Sequence, residues 1–593
     1  MKTDQKLRLL RAEMAKNNID AVIIPTSDPH QSEYVSDHWQ ERAWISGFTG
    51  SAGTVVVTRD HAGLWTDSRY FLQGEMELKG SGFELHKMLN QFGNPYTEFL
   101  ASHLTPGSVV GLNGFMFSKN MVGNIQNVLA ANNISVNHRC DLITSVWQDR
   151  PAISEREVSA HEVEFCGKSV AEKLADIRSG MKNAGADYYL LTTLDDIGWS
   201  LNIRGTDVDY NPVAISYAII GMDDAYLFIH PGKLNDAATQ QLKSNNIKVL
   251  PYDSIISFLN QLDSNKYMLL DPDSCSQALY EAINARIVHG ASLPKSMKAI
   301  KNPTEIKHIR TVMMKDGAAL ANAFYWMEQM LSAGNSFTEV DLAHKLSECR
   351  SQQQHYQNES FGAIIGYRSN GAIIHYHPMP DTCKQILPEG ILLVDSGGQY
   401  RDGTTDITRT FTLSNPSDEE KTNYTLVLKG MIALSQARFP EGTAGVQLDI
   451  LARQFLWQKG LNYGHGTGHG VGFFMNVHEP PQGFVNNFSE RGKTIHVAGM
   501  LTSNEPGFYK EGSYGMRIEN LILSVPSGHE GFLEFETVTL YPFDLNLTDI
   551  RLLSPEEKVW INTYHNHVFE HVSPYIQDKN VRLWFKDKCG NLG

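Results

Sequence analysis

Cysteine is scarce in this chain, with six cysteines among 593 residues. They lie far apart and form no Cys-x-x-Cys spacing, which argues against a disulfide framework and predicts free thiols in a reducing compartment. The N-terminus also lacks the apolar core of a signal peptide, and its spaced leucines predict an amphipathic first helix. We therefore expect a cytoplasmic protein.

The chain also lacks an excess of positive charge and has no long apolar runs. The chain has 51 Lys and Arg against 66 Asp and Glu, a net charge of −15, and its basic residues are scattered. A nucleic-acid partner is not expected, because no basic surface is evident. The longest apolar runs, such as ILLV before Asp395, are far shorter than the roughly 20 residues that cross a bilayer, so membrane insertion is not expected either.

The remaining composition, 41% hydrophobic and 20% charged, is that of a folded globular protein of several domains. Two successive segments, 1–158 and 159–298, follow the same order of helix, strand, acidic turn, tryptophan segment and hairpin. This repetition predicts two α/β domains of one kind. A third, α+β domain is predicted over 299–593, with a C-terminal extension from about 541.

Helix starts are recognisable in the third domain from capping patterns. Asn302 with Pro303 and Glu305 has the residues of a capped helix N-terminus. Similar signals occur at Ser336 with Glu339 and at Ser417 with Glu420. In the extension, the aromatic residues Trp560, Tyr564 and Trp584 are expected to be buried.

Five polar residues of the third domain stand beside glycine or in strand-like or turn segments: Asp395, Asp406, His469, Glu505 and Glu519. Taken singly, an aspartate after a strand is usually a turn residue. If the five converge, four carboxylates at short range raise one another's pKa, and cations are needed. Two divalent ions about 3.5 to 4 Å apart would use them all. A donor set without thiolate favours manganese, cobalt, iron or zinc over copper.

The motifs that carry these residues identify a family. In chain order they are NGAIIHYHP, LLVDSGGQYRDGTTDITRT, HGTGHGVG, NVHEPP, EPGFY and MRIEN. They resemble the metal site of the pita-bread metallopeptidases, and within that family the whole chain is most similar to aminopeptidase P, the X-Pro aminopeptidase, of the long three-domain type. The resemblance implies two creatinase-N-like α/β domains followed by a pita-bread catalytic domain, in a homodimer.

The resemblance also assigns the metal ligands. It makes Asp395 a ligand of one ion, Asp406 and Glu519 bridges between both, and His469 and Glu505 ligands of the other. Manganese is the expected metal, with cobalt or zinc as alternatives. A hydroxide between the two ions would attack the peptide carbonyl, and Glu505 would take the proton from the attacking water.

Four further residues are expected on the substrate side. His375, His465 and His478 resemble the family's substrate-contacting histidines, although any one of them alone could be an ordinary core residue. Arg517, two residues before Glu519, is expected on the same strand face. There it would orient the bridging carboxylate or a substrate carboxylate, with a structural ion pair as the alternative.

The implied activity is release of the N-terminal residue from peptides that have proline in the second position. A proline dipeptidase of the same fold is the nearest alternative, but it usually has one N-terminal domain. Methionine aminopeptidase normally needs only the catalytic domain. A non-catalytic pita-bread binding protein, or metal-free creatinase-like hydrolysis, is disfavoured because all five ligands are present.

Overall fold

The computed structural model describes residues 1–88 and 94–592. It divides into two compact units. The first contains Met1–His161 and Lys168–Pro294, and the second contains Glu162–Gly167 and Lys295–Gly593. Among the described residues no helix is both long and apolar enough to span a membrane.

The strands of the first unit fall into two six-stranded sheets and one small ladder. In chain order they are β1 (Ala21–Pro25), β2 (Thr54–Thr58), β3 (Ala62–Thr66), β4 (Glu84–Lys87), β5 (Val109–Gly111), β6 (Ser135–Asn137), β7 (Ser159–Ala160), β8 (Tyr188–Leu191), β9 (Ile203–Arg204), β10 (Tyr217–Gly221), β11 (Ala225–Phe228), β12 (Ile247–Leu250), β13 (Tyr267–Leu270) and β14 (Arg286–His289).

The two large sheets share one connectivity. Their strand orders are β4-β3-β2-β1-β5-β6 and β12-β11-β10-β8-β13-β14. In the first, β1 pairs antiparallel with β2 and parallel with β5, and β8 makes the equivalent pairs with β10 and β13 in the second. The prediction of two α/β domains of one kind is thereby confirmed, because the repeated order of segments produces the same sheet twice.

Helices alternate with these strands along the chain. Up to residue 299 they are α1 (Thr3–Lys16), α2 (Glu41–Ser46), α3 (Phe71–Glu77), α4 (Pro95–His103), α5 (Lys119–Ala130), α6 (Ile143–Val146), α7 (Val163–Cys166), α8 (Val170–Asn183), α9 (Leu194–Ser200), α10 (Asp236–Ser244), α11 (Ile255–Asn260), α12 (Gln277–Ala282) and α13 (Leu293–Ala299). The first helix is amphipathic as predicted, since Leu7, Leu10 and Met14 are buried and Leu9 is exposed.

The second unit holds α7, the greater part of α13 and the remaining elements. Its remaining helices are α14 (Pro303–Ser332), α15 (Glu339–Ser351), α16 (Asp418–Ser435), α17 (Gly445–Trp457), α18 (Glu490–Lys493), α19 (Pro555–Val572) and α20 (Lys579–Lys588). Its strands are β15 (Phe337–Thr338), β16 (Tyr356–Glu359), β17 (Ile364–Tyr367), β18 (Gln385–Ile386), β19 (Ile391–Ser396), β20 (Gly398–Tyr400), β21 (Gly403–Thr404), β22 (Ile407–Thr412), β23 (Arg438–Pro440), β24 (Gly468–Gly470), β25 (Glu479–Phe484), β26 (Leu501–Asn504), β27 (Gly507–Lys510), β28 (Tyr514–Arg517), β29 (Asn520–Pro526) and β30 (Phe532–Thr537).

Two sheets of the second unit carry or adjoin the five predicted metal ligands. One is three-stranded, in the order β17-β19-β22, and the other is six-stranded, in the order β23-β30-β29-β26-β24-β25. A single hydrophobic cluster packs α14, α16 and α19 with the central strands, and its members include Val312, Val394, Met431, Leu521 and Val568. The strand ends that carry polar side chains are thus fixed by one core.

The capping patterns give two correct helix starts and one wrong one. Asn302 and Ser417 cap α14 and α16 with complete capping boxes, as predicted. The start expected at Ser336 is wrong: α15 is capped by Thr338 with Asp341. Residues 337–338 pair with β18 as a strand, so the helix begins later, and the Glu339 carboxylate is used elsewhere.

The aromatic residues of the C-terminal extension pack within their own unit. Tyr564 is buried and stacks between Phe543 and Trp560, with ring centroids 4.9 and 5.3 Å away. Trp584 donates from Nε1 to Glu328 Oε2 at 2.7 Å. The expected burial is therefore met by Tyr564 alone, because Trp560 and Trp584 are only half-buried.

Candidate active site

The three-stranded sheet brings two aspartates together. Asp395 lies in β19, and Asp406 comes directly before β22. The two strands are antiparallel neighbours in which Asp395 is opposite Thr408. Both carboxylates are buried, and they lie near the same end of this strand pair because a short connection returns the chain to its neighbour.

The six-stranded sheet supplies the other three residues. His469 is the middle residue of β24, Glu505 follows β26, and Glu519 precedes β29. Asn504 is opposite Asn520 in the ladder of β26 and β29, so the two glutamates form the next opposed positions. Strand ends from two sheets thus place one imidazole among four carboxylates.

The distances between these side chains suit a shared cation site. Ligand atoms of Asp406, His469 and Glu519 all lie within 4.8 Å of one another. His469 Nε2 is 3.5 Å from Asp406 Oδ2 and 3.6 Å from Glu505 Oε1. The buried Asp395 Oδ1 has no hydrogen-bond partner among the described residues. An orphaned carboxylate oxygen beside converging acids is what a divalent cation would satisfy, so this donor set fits the two ions that the sequence predicts.

The pKa values of these carboxylates also indicate that the cluster needs bound cations. Burial and then the neighbouring carboxylates raise the pKa of Asp406 and Glu519 well above their ordinary values. Burial also raises the pKa of Glu505 to about 7, although the positive charge of Arg517 opposes that rise. The cluster carries more negative charge than the protein compensates, and bound cations would supply the difference.

Arg517 contacts a different carboxylate from the one expected. It ends β28 and donates from Nη2 to Asp395 Oδ2 at 2.5 Å. The expectation that Arg517 and Glu519 share a strand face is wrong, because β28 and β29 belong to different sheets. Arg517 is linked to Glu519 through Thr408, which accepts from Arg517 Nε at 3.2 Å and donates to Glu519 Oε2 at 2.8 Å.

Glycine lets the backbone approach closely around His469. A Cβ on Gly468 would lie 1.9 Å from the Ser503 carbonyl oxygen, and one on Gly470 would lie 2.2 Å from that of Glu479. His469 Nδ1 is 3.0 Å from the Gly470 carbonyl oxygen, which leaves Nε2 toward the carboxylates. The glycine-rich run therefore fixes the imidazole by packing three strands tightly around it.

Two of the three histidines that are expected on the substrate side lie against the cluster. The His478 ring is edge-on to His469, with centroids 4.3 Å apart. His465 Nδ1 is 2.7 Å from the Gly466 carbonyl oxygen, and its Nε2 is 2.9 Å from the Tyr509 hydroxyl. In the neutral ring Nδ1 must carry the proton to meet that carbonyl, so Nε2 accepts from Tyr509.

Tyr509 was not singled out from the sequence, although it lies in the motif EPGFY. Its hydroxyl accepts from Arg517 Nη1 at 2.7 Å while it meets His465. Arg517 donates only, so the tyrosine proton remains available for the imidazole. Tyr509 thus links the arginine beside Asp395 to the histidine beside Glu505.

His375 lies in a loop. The chain forms a 3-10 turn over Arg368–Ala372 and continues irregularly, with the Ile374 carbonyl oxygen 3.5 Å from Arg517 Nη2. The neighbouring Tyr376 is buried and donates to Glu339 Oε2 at 2.8 Å. Residues 373–377 therefore pass beside the cluster in a conformation that tertiary contacts impose.

Glu339 anchors this loop, a role that no sequence pattern indicates apart from the misplaced capping signal. It is fully buried. Besides Tyr376, it accepts from the backbone nitrogens of Tyr367 and Lys384 at 2.8 and 2.7 Å and from Asn370 Nδ2 at 3.0 and 3.1 Å. One carboxylate thereby holds both ends of the segment that contains His375.

Comparison with known families covers nearly the whole chain. The profile of metallopeptidase family M24 matches residues 307–525, and the C-terminal region of peptidase M24 matches 531–592. Two creatinase/prolidase N-terminal domain profiles match 6–141 and 149–305. The fold class predicted from the sequence is confirmed.

Individual relatives agree with these matches. Aminopeptidase P2 of Arabidopsis thaliana is 39% identical over 98% of this chain and 87% of its own length. The crystal structure of an X-prolyl aminopeptidase from Caenorhabditis elegans, described as a cytosolic enzyme with a di-nuclear active site, superposes with a TM-score of 0.95 and 33% identity over all of both chains. A Xaa-Pro dipeptidase from Bacillus anthracis gives 0.51 and 27% identity, and covers 64% of this chain and 99% of that one.

Proposed function

Because the chain belongs to the Xaa-Pro aminopeptidases (aminopeptidase P) of metallopeptidase family M24, we propose that it releases the first residue from peptides with proline second, using two divalent ions. The observation that carries this proposal is the convergence of Asp406, His469 and Glu519 within 4.8 Å. Likeness over the full chain to an enzyme described as di-nuclear supports it.

The ligands divide between the two ions in this proposal. Asp395 would hold one ion, His469 and Glu505 would hold the other, and Asp406 and Glu519 would contribute to both. When bound, the ions would lower the pKa of a water to roughly 7, which would supply a hydroxide nucleophile at neutral pH, and would polarise the scissile carbonyl. Manganese is proposed first, with cobalt or zinc as alternatives, because the donors are mostly oxygen.

The chain's own residues orient the substrate and handle protons and developing charge. Glu505 accepts the proton of the attacking water and passes it toward the leaving nitrogen. His375 and His478 donate hydrogen bonds to the carbonyl oxygen as it becomes negative, an effect worth about 2.7 to 4 kcal/mol for a well-placed donor. His465, held by Tyr509, is proposed to contact the substrate. Arg517 fixes Asp395 by the 2.5 Å ion pair and acts as a positioning residue.

Proline in the second position removes one hydrogen bond that a peptidase can make to the substrate backbone. The bond before proline is a tertiary amide without N–H, so a backbone donor is missing there. A site for such bonds must rely on the free α-amino group and on packing against the proline ring. The doubled N-terminal α/β domain favours the aminopeptidase over the dipeptidase, whose match leaves about a third of this chain uncovered.

Three peptides distinguish the candidate activities. With manganese present, Arg-Pro-Pro should lose its first residue, a free Xaa-Pro dipeptide should be a poor substrate, and Met-Ala-Ser should be resistant. A preference for the dipeptide would identify a proline dipeptidase. Cleavage of Met-Ala-Ser alone would identify a methionine aminopeptidase, and no cleavage of any peptide would leave a binding protein.

Cytoplasmic location and a homodimer are part of the same proposal. The nematode enzyme is described as cytosolic, which supports the location. The mass of one chain is 66.4 kDa, so light scattering should give about twice this value. A stable monomer at micromolar concentration would contradict the dimer.

A further inference from the structure

A second group of metal-ligating side chains lies in the first unit, at an edge of its first sheet. His61 comes directly before β3, and Glu84 and His86 are two residues apart on the edge strand β4. Ligand atoms of the three residues lie within 4.8 Å of one another. None of them has a role in the proposed peptidase reaction.

The two imidazoles face each other through equivalent nitrogens. His61 Nε2 and His86 Nε2 are 3.1 Å apart. Two nitrogens bound to one tetrahedral zinc at about 2.0 to 2.1 Å are separated by roughly 3.3 to 3.4 Å, so an ion requires only a small opening of the pair. Glu84 Oε2 is 3.9 Å from His61 Nδ1, and its side chain is 75% exposed, so packing does not lock its rotamer.

The surrounding residues hold the rings in this arrangement. Trp65 stacks on His86 with a centroid distance of 3.9 Å and an interplanar angle of 7°. Gly63 lies between the rings: a Cβ there would be 2.7 Å from both His61 Nε2 and His86 Cδ2. Only glycine leaves the rings room to meet, and the stacked indole fixes the direction of one of them.

Ligand chemistry selects the ion. Two imidazoles with one carboxylate and an open position for water form a donor set typical of zinc. We propose that His61, His86 and Glu84 form a zinc site in the first unit, which clamps the β2–β3 turn to the edge strand β4.

A zinc count on the full chain tests this site apart from the catalytic one. In a chain carrying Asp406→Asn and Glu519→Gln, titration with zinc chloride followed by gel filtration and elemental analysis should leave one zinc per chain. His61→Ala or His86→Ala in that background should abolish it, and Glu84→Gln should weaken zinc affinity more than about tenfold. His103→Ala is the matched control, because its ring lies 6.2 Å from His61 outside the three-ligand group, and it should keep the zinc.

A second measurement keeps the test decisive if the double substitution fails to fold. The wild-type chain titrated with zinc chloride should bind one zinc ion more than its His61→Ala variant, and this difference does not depend on which metal fills the dinuclear site. A chain that retains no zinc, or that keeps it after His61→Ala and His86→Ala, would overturn the site and leave the rings as a hydrogen-bonded pair.

Discussion

The two metal-ligand clusters of this chain differ in charge and in burial. The cluster around His469 has four carboxylates in the interior of the second unit, and burial and mutual repulsion raise the pKa of Asp406 and Glu519. The cluster around His61 has two imidazoles and one exposed carboxylate. The first accumulates a charge that cations must offset. The second is close to neutral and needs no ion to be stable, so its zinc would be an addition to a complete fold.

The largest expected effect comes from removing a bridging carboxylate. Asp406→Asn or Glu519→Gln should empty both positions of the dinuclear site, because each residue is proposed to bind both ions, and kcat should fall more than about 10³-fold. Elemental analysis with peptide hydrolysis measures both quantities. Asp381→Asn, at an exposed position, is the control and should change neither. Full metal content in either bridging variant would contradict the dinuclear assignment.

Substitution of the oxyanion donors should separate catalysis from metal binding. His375→Ala and His478→Ala should each lower kcat by about 10² to 10³-fold, since a well-placed donor is worth roughly 2.7 to 4 kcal/mol. Metal content should stay unchanged in both variants. His529→Ala replaces a histidine in an exposed turn and serves as the matched control. Loss of metal after either active-site substitution would place that histidine among the ligands.

Substitution of Arg517 tests how far the protein's own positive charge and hydrogen bonds organise the acidic cluster for metal binding. Arg517→Lys keeps the charge but cannot hold Asp395, Thr408 and Tyr509 together, so metal affinity should fall about 10 to 100-fold. Competition with a chelator gives this affinity. Arg368→Lys, at the exposed ion pair with Glu389, is the control and should leave it unchanged. An unaltered metal affinity in Arg517→Lys would show that the ions alone organise Asp395.

His496 is a buried histidine whose pKa is shifted by burial alone, so it isolates the effect that the acidic cluster combines with charge repulsion. Burial alone lowers its pKa to about 4, it stacks on Phe484 at 4.7 Å, and neither ring nitrogen has a partner among the described residues. The unfolded chain takes up a proton below pH 6.5, whereas the folded ring stays neutral. Its stabilisation is therefore present above pH 6.5 and is lost as the pH falls toward 4, by about 3 kcal/mol at most.

Urea unfolding in the presence of a chelator measures this effect. His496→Phe keeps the stacked shape without a titratable nitrogen, and it should lose less stability than the wild type between pH 7 and pH 5. His289→Phe, on an edge strand, is the comparison variant and should behave as the wild type. Equal pH dependence of wild type and His496→Phe would contradict the shift assigned to burial.

The sequence by itself determined what depends on neighbours along the chain. The repeated order of helix, strand and hairpin predicted two like sheets, and Asn302 and Ser417 marked helix starts, because a cap uses donors only three residues away. Motif order identified the family and grouped five ligand candidates. Strand-end positions of Asp395 and Asp406 then follow from a short connection between paired strands.

Only the tertiary structure decided contacts between distant segments. Arg517 meets Asp395 across 122 residues and not its sequence neighbour Glu519, because the chain changes sheets between residues 517 and 520. The irregular loop at His375 is held by Glu339, a buried carboxylate that satisfies donors from three separate stretches. His61 and His86 meet because parallel pairing of β3 with β4 and the absent side chain of Gly63 allow it. Contacts made by strand pairing and close packing cannot be predicted from a short stretch of sequence. The residues involved are far apart along the chain and come together only when the sheet has formed.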